Sequence, residues 1–489
     1  MAKLLLVFPG RKASRVRGWA PVRLPYSLLC LAGYVRPHGV DVSIHDLRLD
    51  DVRSADLDGV SWVGFSCMTG HQISSALDAA AYLRPRLPRA AFIWGGIHPS
   101  LHPEETARHP LVDVVVKGEG EDTLLDIVKT GPAGRDAAGL PGTVAIRNGA
   151  VVQGENRPFI DLDVAPLPAY DLIDLRRYPG GRSMLDYQTS RGCPFRCGFC
   201  YNAAFSCRKW RAKSAARVAA DLEHLIRAHG VHGFSFVDDE IFIDRKRVEG
   251  ILDRVLEAGL KFTWTASCRL DLCRKFSEAL FGKLKASGCT QLYFGGESGS
   301  PAVLEAVSKD ITTDDIMEGV RLCLKNEVTP IVSFMAGFPD ETPEQFDATL
   351  DMITRIWAID PTAGVNGIFP FSPYPGTALF DRTRAMGLRV PVRFEEWGTW
   401  TFKYRPDHPW LSARECERIR IAFYIVRFRY YLKEFGFRNR DRLARRFTVN
   451  ALALPWRLSA SWRWERRCFR FAWEWDLWAV VARKVFGFL

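Results

Sequence analysis

Short apolar runs and longer mixed stretches alternate twice along the chain. In the first round LLLVF, DVSIHDL, WVGFS, AFIWGG and VDVVVKGEGE fall between Lys3 and about Lys129, separated by stretches with helical spacing. Apolar, β-rich runs alternating with helix-length segments predict parallel strands joined by crossover helices. Residues 1–130 are therefore expected to form a doubly wound α/β domain of five strands. Gly95, Gly96, Gly118 and Gly120 fall just past strand ends, where open sheets of this kind place ligands.

From about Thr130 to Gly181 the rhythm gives way to Pro, Gly and Asp, apart from TVAIRNGAVV, whose Asn148-Gly149 pair predicts a type I′ hairpin turn. Residues 131–182 read as a linker carrying a small hairpin. A second alternation starts near Met184: MLDYQTS, GFSFVDDE, FTWTASCRLD, QLYFGGES, PIVSFMAGF and GVNGIFPF. Six such units predict a partial (β/α)6, TIM-like barrel over 183–400, with its chemistry at the C-terminal strand ends. Ser190, Asp238, Asp239, Glu240, Arg269, Glu297 and Ser298 all sit where a strand runs out. Beyond about Leu411, Ser412 and Glu415 stand in capping-box spacing before IRIAFYIVRFRYYLKEF. Six of the fifteen tryptophans lie between Trp456 and Trp478, so 401–489 are expected to form a third, helical module.

At 489 residues, 47% hydrophobic and 25% charged, the chain has material for several packed cores. The net charge of +11 is concentrated at one end: ten Arg or Lys face four Asp or Glu between Asp441 and Leu489. That concentration argues against a general nucleic-acid surface. The stretch Leu4–Phe8 is too short for a signal-peptide core, and the uncharged run Pro361–Phe380 holds four prolines and three glycines, which excludes it as a spanning helix. Twelve cysteines in so long a chain do not make a disulfide scaffold, and a reducing cytoplasm is the expected location.

Three of those thiols crowd into TSRGCPFRCGFCYN, directly after an expected strand. A loop that short wraps three corners of a cubane, and a 4Fe-4S cluster held by Cys193, Cys197 and Cys200 keeps one iron open for an external ligand. The competing assignment is a structural zinc site with Cys207 or His224 as fourth ligand.

The spacing C-x3-C-x2-C, with Phe199 before the last cysteine, resembles the signature of the radical SAM superfamily, and the match extends through most of 184–375. The resemblance implies that the open iron chelates S-adenosylmethionine and that an electron from the cluster yields a 5′-deoxyadenosyl radical. It assigns the amino group to the second strand end, where Asp238, Asp239 and Glu240 replace the usual Gly-Gly-Glu-like segment. Arg269 is expected on the carboxylate, as guanidinium and carboxylate match in two parallel hydrogen bonds; an ion pair with Asp271 is the alternative. Glu297, followed by Ser298, is expected on the ribose hydroxyls. The segment SFMAGFPDET resembles the element that packs on adenine, with Asp340 in place of the usual Gly.

GFSCMTG, GGIHPSLHPEET and VVKGEGEDTL resemble, in order and spacing, the flavodoxin-like cobalamin-binding domain found in front of many radical SAM enzymes. The resemblance places Ser66, Met68, Thr69 and Gly70 near the corrin, Gly95 and Gly96 close to the ligand, and His98 with Gly118, Glu119, Gly120 and Glu121 near the nucleotide tail. The D-x-H-x-x-G motif is absent, so cobalamin without a protein histidine on cobalt is expected. Together the two resemblances imply methylation of an unactivated carbon of a secondary metabolite or lipid-like substrate through methylcobalamin, with an external flavodoxin- or ferredoxin-type electron donor. An anaerobic oxidative cyclase without methyl transfer is the enzymatic alternative, and a non-catalytic sensor the remote one. The C-terminal module reads as a cap over an apolar small-molecule substrate, or as a peripheral membrane contact.

Overall fold

The computed structural model describes residues 2–12, 23–131, 137–178, 180–360, 363–400, 407–438 and 449–481. β1 (Lys3–Phe8), β2 (Asp41–Asp46), β3 (Val60–Ser66), β4 (Ala91–Gly95) and β5 (Val114–Val116) are the five strands read from the sequence. They pair in parallel in the order β2-β1-β3-β4-β5, the flavodoxin-like arrangement. Both faces of its central strands are buried, which is why β1, β3, β4 and β5 read as largely apolar runs, whereas the edge strand β2 is more polar. Leu5, Val7, Phe65, Phe92 and Trp94 point to one side, and Leu4, Leu6, Trp62, Ile93 and Val116 to the other.

The Asn148-Gly149 turn forms as expected, with Asn148 at φ 50° and Gly149 at φ 78°. Its hairpin, however, is not a free linker. β6 (Thr143–Arg147) and β7 (Ala150–Gln153) continue the first sheet antiparallel to β5, covering an edge that would otherwise expose unpaired backbone groups.

Helices Tyr26–Val35 and Glu121–Lys129 cover one face of the sheet, and helix His71–Leu83 covers the other. The rest of that second face is closed from far along the chain. Phe394 and Trp397, in the 3₁₀ turn Phe394–Thr399, share a core with Phe65, Phe92 and Trp94. Trp397 Nε1 donates to Glu105 Oε1 at 2.8 Å. Residues 394–400 therefore belong in space with the N-terminal body, although in sequence they fall inside the stretch expected to form the barrel.

The second sheet contains β8 (Leu185–Tyr187), β11 (Gly233–Phe236), β12 (Thr263–Ser267), β13 (Cys289–Glu297), β14 (Thr329–Ala336) and β15 (Gly364–Pro370), all parallel and in that sequential order. β8 and β15 stay unpaired with each other, so the barrel is partial, as expected. A two-residue ribbon, β9 (Ser190–Arg191) with β10 (Arg211–Ala212), brackets the cysteine loop.

Helix Ala413–Arg438 starts at the expected capping box, in which Ser412 Oγ accepts from the Glu415 N–H and the Glu415 carboxylate accepts from the Ser412 N–H. It lies along β15, buries Ile419, Phe423 and Val426, and donates from Arg427 Nη1 to the Asn366 carbonyl at 2.9 Å. Helices Leu454–Glu465 and Trp473–Val481 pack on it, with Trp475 and Trp478 edge-on to Phe428. The basic runs at 439–448 and 482–489 lie outside the described residues.

Candidate active site

The cysteine loop leaves β9 at Gly192, whose N–H donates to Asp239 Oδ2 at 2.9 Å. Its middle is pinned by backbone bonds from the Gly198 N–H to the Val307 carbonyl and from the Leu379 N–H to the Gly198 carbonyl. Cys193, Cys197 and Cys200 are free, half-buried thiols on this fixed path. Burial pushes Cys193 and Cys200 each up to about 11, so a cation at the loop is what would draw their protons off at neutral pH. Among the described residues no three His, Cys, Asp or Glu side chains converge as a single ion requires, and Cys207 is exposed on the far side of helix Asn202–Phe205 in sequence.

Two buried cations flank the loop. Arg269 lies flat on the Phe195 ring at 3.7 Å and points Nη1 at Cys197 Sγ, 3.7 Å away. Its Nε donates to Asp271 and its Nη2 to the carbonyls of Lys309 and Asp310. The Asp271 pair read as the alternative is therefore present, and it is buried rather than superficial. Lys309, which no sequence pattern singled out, donates to Glu297 Oε1 at 2.7 Å in a buried pair. Glu297 holds a left-handed φ of 57° at the end of β13, a strain of about 1 kcal/mol or more of the kind that collects at functional sites.

Several residues expected at the cofactors have partners within the chain. Asp238 accepts from Thr189 N–H, Thr189 Oγ1 and Ser190 Oγ, so its carboxylate staples the strand end. Asp239 fastens Gly192. Glu240 accepts from the N–H groups of Phe242 and Arg269, while its own carbonyl accepts from Trp210 Nε1. Asp238 and Glu240 are buried and hold neighbouring chain in place, whereas Asp239 stays exposed with Oδ2 on the Gly192 N–H. Ser298 Oγ lies 3.1 Å from Thr349 Oγ1 and caps the next turn through the Ser300 N–H, again an internal role. Phe199 joins Val303, Val307, Phe338, Phe371 and Leu379 in an apolar wall beside the cysteines.

On the N-terminal body, Ser66, Met68, Gly95, Gly118, Glu119 and Gly120 form a partly exposed ledge at the ends of β3, β4 and β5. Gly118, at φ 78°, has nothing within 4 Å where a Cβ would point, which leaves backbone open to a large flat group. Gly96 is explained internally instead: a Cβ there would meet the Cys67 backbone at 2.8 Å. Thr69 and Gly70 are buried, Gly70 opening helix His71–Leu83. His98 lies inside the N-terminal body. It is fully buried, 2.9 Å from Thr69 Oγ1 through Nδ1, with its ring packed against His102, Phe394 and Trp397. Burial lowers it to about 3, so it stays neutral and braces the 394–399 turn.

The ledge and the cysteine loop are tied by ion pairs that sequence reasoning missed. Arg191, two residues before Cys193, reaches Glu121 at 2.7 Å and Glu119 at 3.5 Å, and Arg211 grips Glu119 with both terminal nitrogens. Both arginines sit on the β9–β10 ribbon. The strand ends of one sheet are thereby held against the cysteine loop of the other.

The sequence profile of the Radical SAM superfamily matches residues 187–353, and that of the B12 binding domain matches residues 24–128. An uncharacterised methyltransferase of Pyrococcus horikoshii is 33% identical over 409 residues, covering 81% of this chain and 86% of that protein. The chain belongs to the cobalamin-binding radical SAM enzymes. A 4Fe-4S cluster, S-adenosylmethionine and cobalamin are accordingly its cofactors. The anaerobic magnesium-protoporphyrin IX monomethyl ester cyclase of Synechocystis is 25% identical over 342 residues, 67% of this chain and 68% of that one. The fold is shared with the radical S-adenosylmethionine methyltransferase TsrM of Kitasatospora setae, solved with tryptophan and an S-adenosylmethionine analogue, at a TM-score of 0.65 and 20% identity over 80% of this chain and 78% of that one. In this cobalamin-binding radical SAM enzyme the thiol loop has the buried Arg269 beside Cys197, and the ledge of open backbone is tied to the loop through Arg191 and Arg211.

Proposed function

We propose that this enzyme transfers a methyl group to an unactivated carbon of a small, apolar or lipid-like substrate held between the ledge and the cysteine loop. In such a reaction the cluster and S-adenosylmethionine supply a 5′-deoxyadenosyl radical and cobalamin supplies the methyl group. The chain's own contribution is placement. Cys193, Cys197 and Cys200 hold the cluster, and Arg269 turns Nη1 toward the Cys197 sulfur. Glu297, already neutralised by Lys309, is positioned for the ribose, and Ser66, Met68, Gly95 and Gly118–Gly120 for cobalamin. The apolar wall of Phe199, Phe338 and Phe371 keeps water from a radical that would otherwise be quenched.

One observation supports this reading above the others. The Arg191–Glu121 and Arg211–Glu119 pairs hold the ledge and the loop face to face, as a reaction using both cofactors on one carbon requires. An external electron donor of the flavodoxin or ferredoxin type belongs to the same reading, and so does a membrane contact of the C-terminal module where the substrate is lipid-soluble. The likeness to the anaerobic cyclase favours ring closure without methyl transfer as the second reading. S-adenosylmethionine with a deuterated methyl group separates the two: label in the product is expected, and product formed without label overturns methyl transfer.

A further inference from the structure

Among the described residues, eight of the twelve large apolar side chains left exposed lie between Leu452 and Val480. Such side chains scattered singly are ordinary, but a set gathered on one element marks a surface that meets something apolar. On helix Leu454–Glu465 the exposed set is Leu454, Leu458 and Trp462, one helical face; the opposite face, with Ala460 and Trp464, is buried. On helix Trp473–Val481 it is Trp473, Leu477 and Val480, opposite the buried Trp475 and Ala479.

The turn between these helices is built. Arg463 is buried and donates from Nε to Glu474 and from its terminal nitrogens to the carbonyls of Cys468, Arg470 and Phe471. It holds Arg467 and Phe471 at left-handed φ values of 49° and 47°. A bulky residue in that region costs about 1 kcal/mol or more and persists only when its surroundings enforce it. Here the enforced conformation leaves the Phe471 ring 91% exposed and Trp473 72% exposed, packed on nothing. Exposed Arg466 and Arg470 lie in the turn beside exposed Glu465, whereas Asp476 is paired with Arg420.

We propose that this helical hairpin docks on the surface of an anionic lipid bilayer, with Phe471 and Trp473 as the inserted wedge and Arg466 and Arg470 on the headgroups. Aromatic and aliphatic side chains ringed by arginine suit the acyl–headgroup boundary, and no described helix is long and apolar enough to cross a membrane, so the contact is peripheral. The inference deepens the membrane contact named above, but it does not depend on which carbon is methylated, because it is read without substrate.

The test is flotation of the full, cofactor-loaded chain with phosphatidylcholine vesicles, with and without phosphatidylglycerol. Binding to the anionic vesicles, weakened by salt, is expected. Phe471→Ser with Trp473→Ser, both exposed and so harmless to folding, should weaken it about tenfold or more, and Arg466→Glu with Arg470→Glu by a similar factor. A chain that stays with the soluble fraction on both vesicles overturns the proposal. So does flotation indifferent to Phe471 and Trp473, or a dimer in sedimentation that Phe471→Ser dissolves, which would make the occupant a second copy of the chain.

Discussion

Arg191 and Glu121 meet across the junction of the two sheets, Nη2 to Oε1 at 2.7 Å, with Glu121 only 6% exposed. Replacing one partner of a buried pair strands the other charge, which costs about 3 kcal/mol, whereas replacing both costs far less. Arg191→Gln is expected to lower the thermal midpoint by several degrees, and Arg191→Gln with Glu121→Gln to recover most of that loss. A double variant no more stable than the single one would show that Arg191 acts through Glu119 instead.

The cysteine loop is fixed by backbone bonds at Gly192 and Gly198, not by its thiols. Cys193→Ala, Cys197→Ala and Cys200→Ala should therefore each fold normally. Anaerobic preparations should lose bound iron and form no detectable 5′-deoxyadenosine. Zinc in place of iron in the unaltered chain, or retained turnover in any of the three, contradicts the cluster assignment.

Arg269 sets a positive charge 3.7 Å from Cys197 Sγ. Hydrogen bonds and positive charge at a cluster sulfur favour the reduced state, so Arg269→Met should lower the midpoint potential, on the order of tens of millivolts, and Arg269→Lys should fall between. A spectroscopically followed redox titration checks it. An unchanged potential would leave Arg269 as a clamp on the Lys309 and Asp310 carbonyls alone.

Glu341 accepts through Oε2 from the N–H groups of Gly337 and Phe338, while its buried Oε1 has no hydrogen-bond partner. Burial raises its pKa from the ordinary 4.5 to about 7. Between those values the folded chain holds the proton that the unfolded chain has lost, so this carboxyl's contribution to stability falls as pH rises from 4.5 and levels off above 7. Glu341→Gln keeps an acceptor and removes the charge. It should be more stable than the unaltered chain by about 2 kcal/mol at pH ~8, with the gap closing near pH ~5. Parallel unfolding curves at both pH values would refute this.

The eleven parallel strands were legible because most carry a short apolar run local in sequence, and the cysteine loop because its chemistry lies within a single short turn. What stayed hidden depends on partners distant in sequence. Nothing around Asp238 and Glu240 reveals that Thr189 and Arg269 supply donors that turn them inward. His98 reads as a ligand contact until Phe394 and Trp397 are seen closing over it. Lys309 follows no periodic pattern, and only the fold brings it to Glu297. The hairpin at 143–153 was visible as a hairpin, but its place on the β5 edge was not, since strand pairing is a property of two segments and not of one.

Trp397 and Glu105, bonded in the folded chain, lie 292 positions apart. The N-terminal body is thus completed only after the barrel has been made, because its second face waits for the turn at 394–399. A fragment cut after the hairpin would leave Trp94 and His98 uncovered. Exchange of the N-terminal body between relatives would have to carry that distant turn along with it, across the barrel that separates the two in sequence.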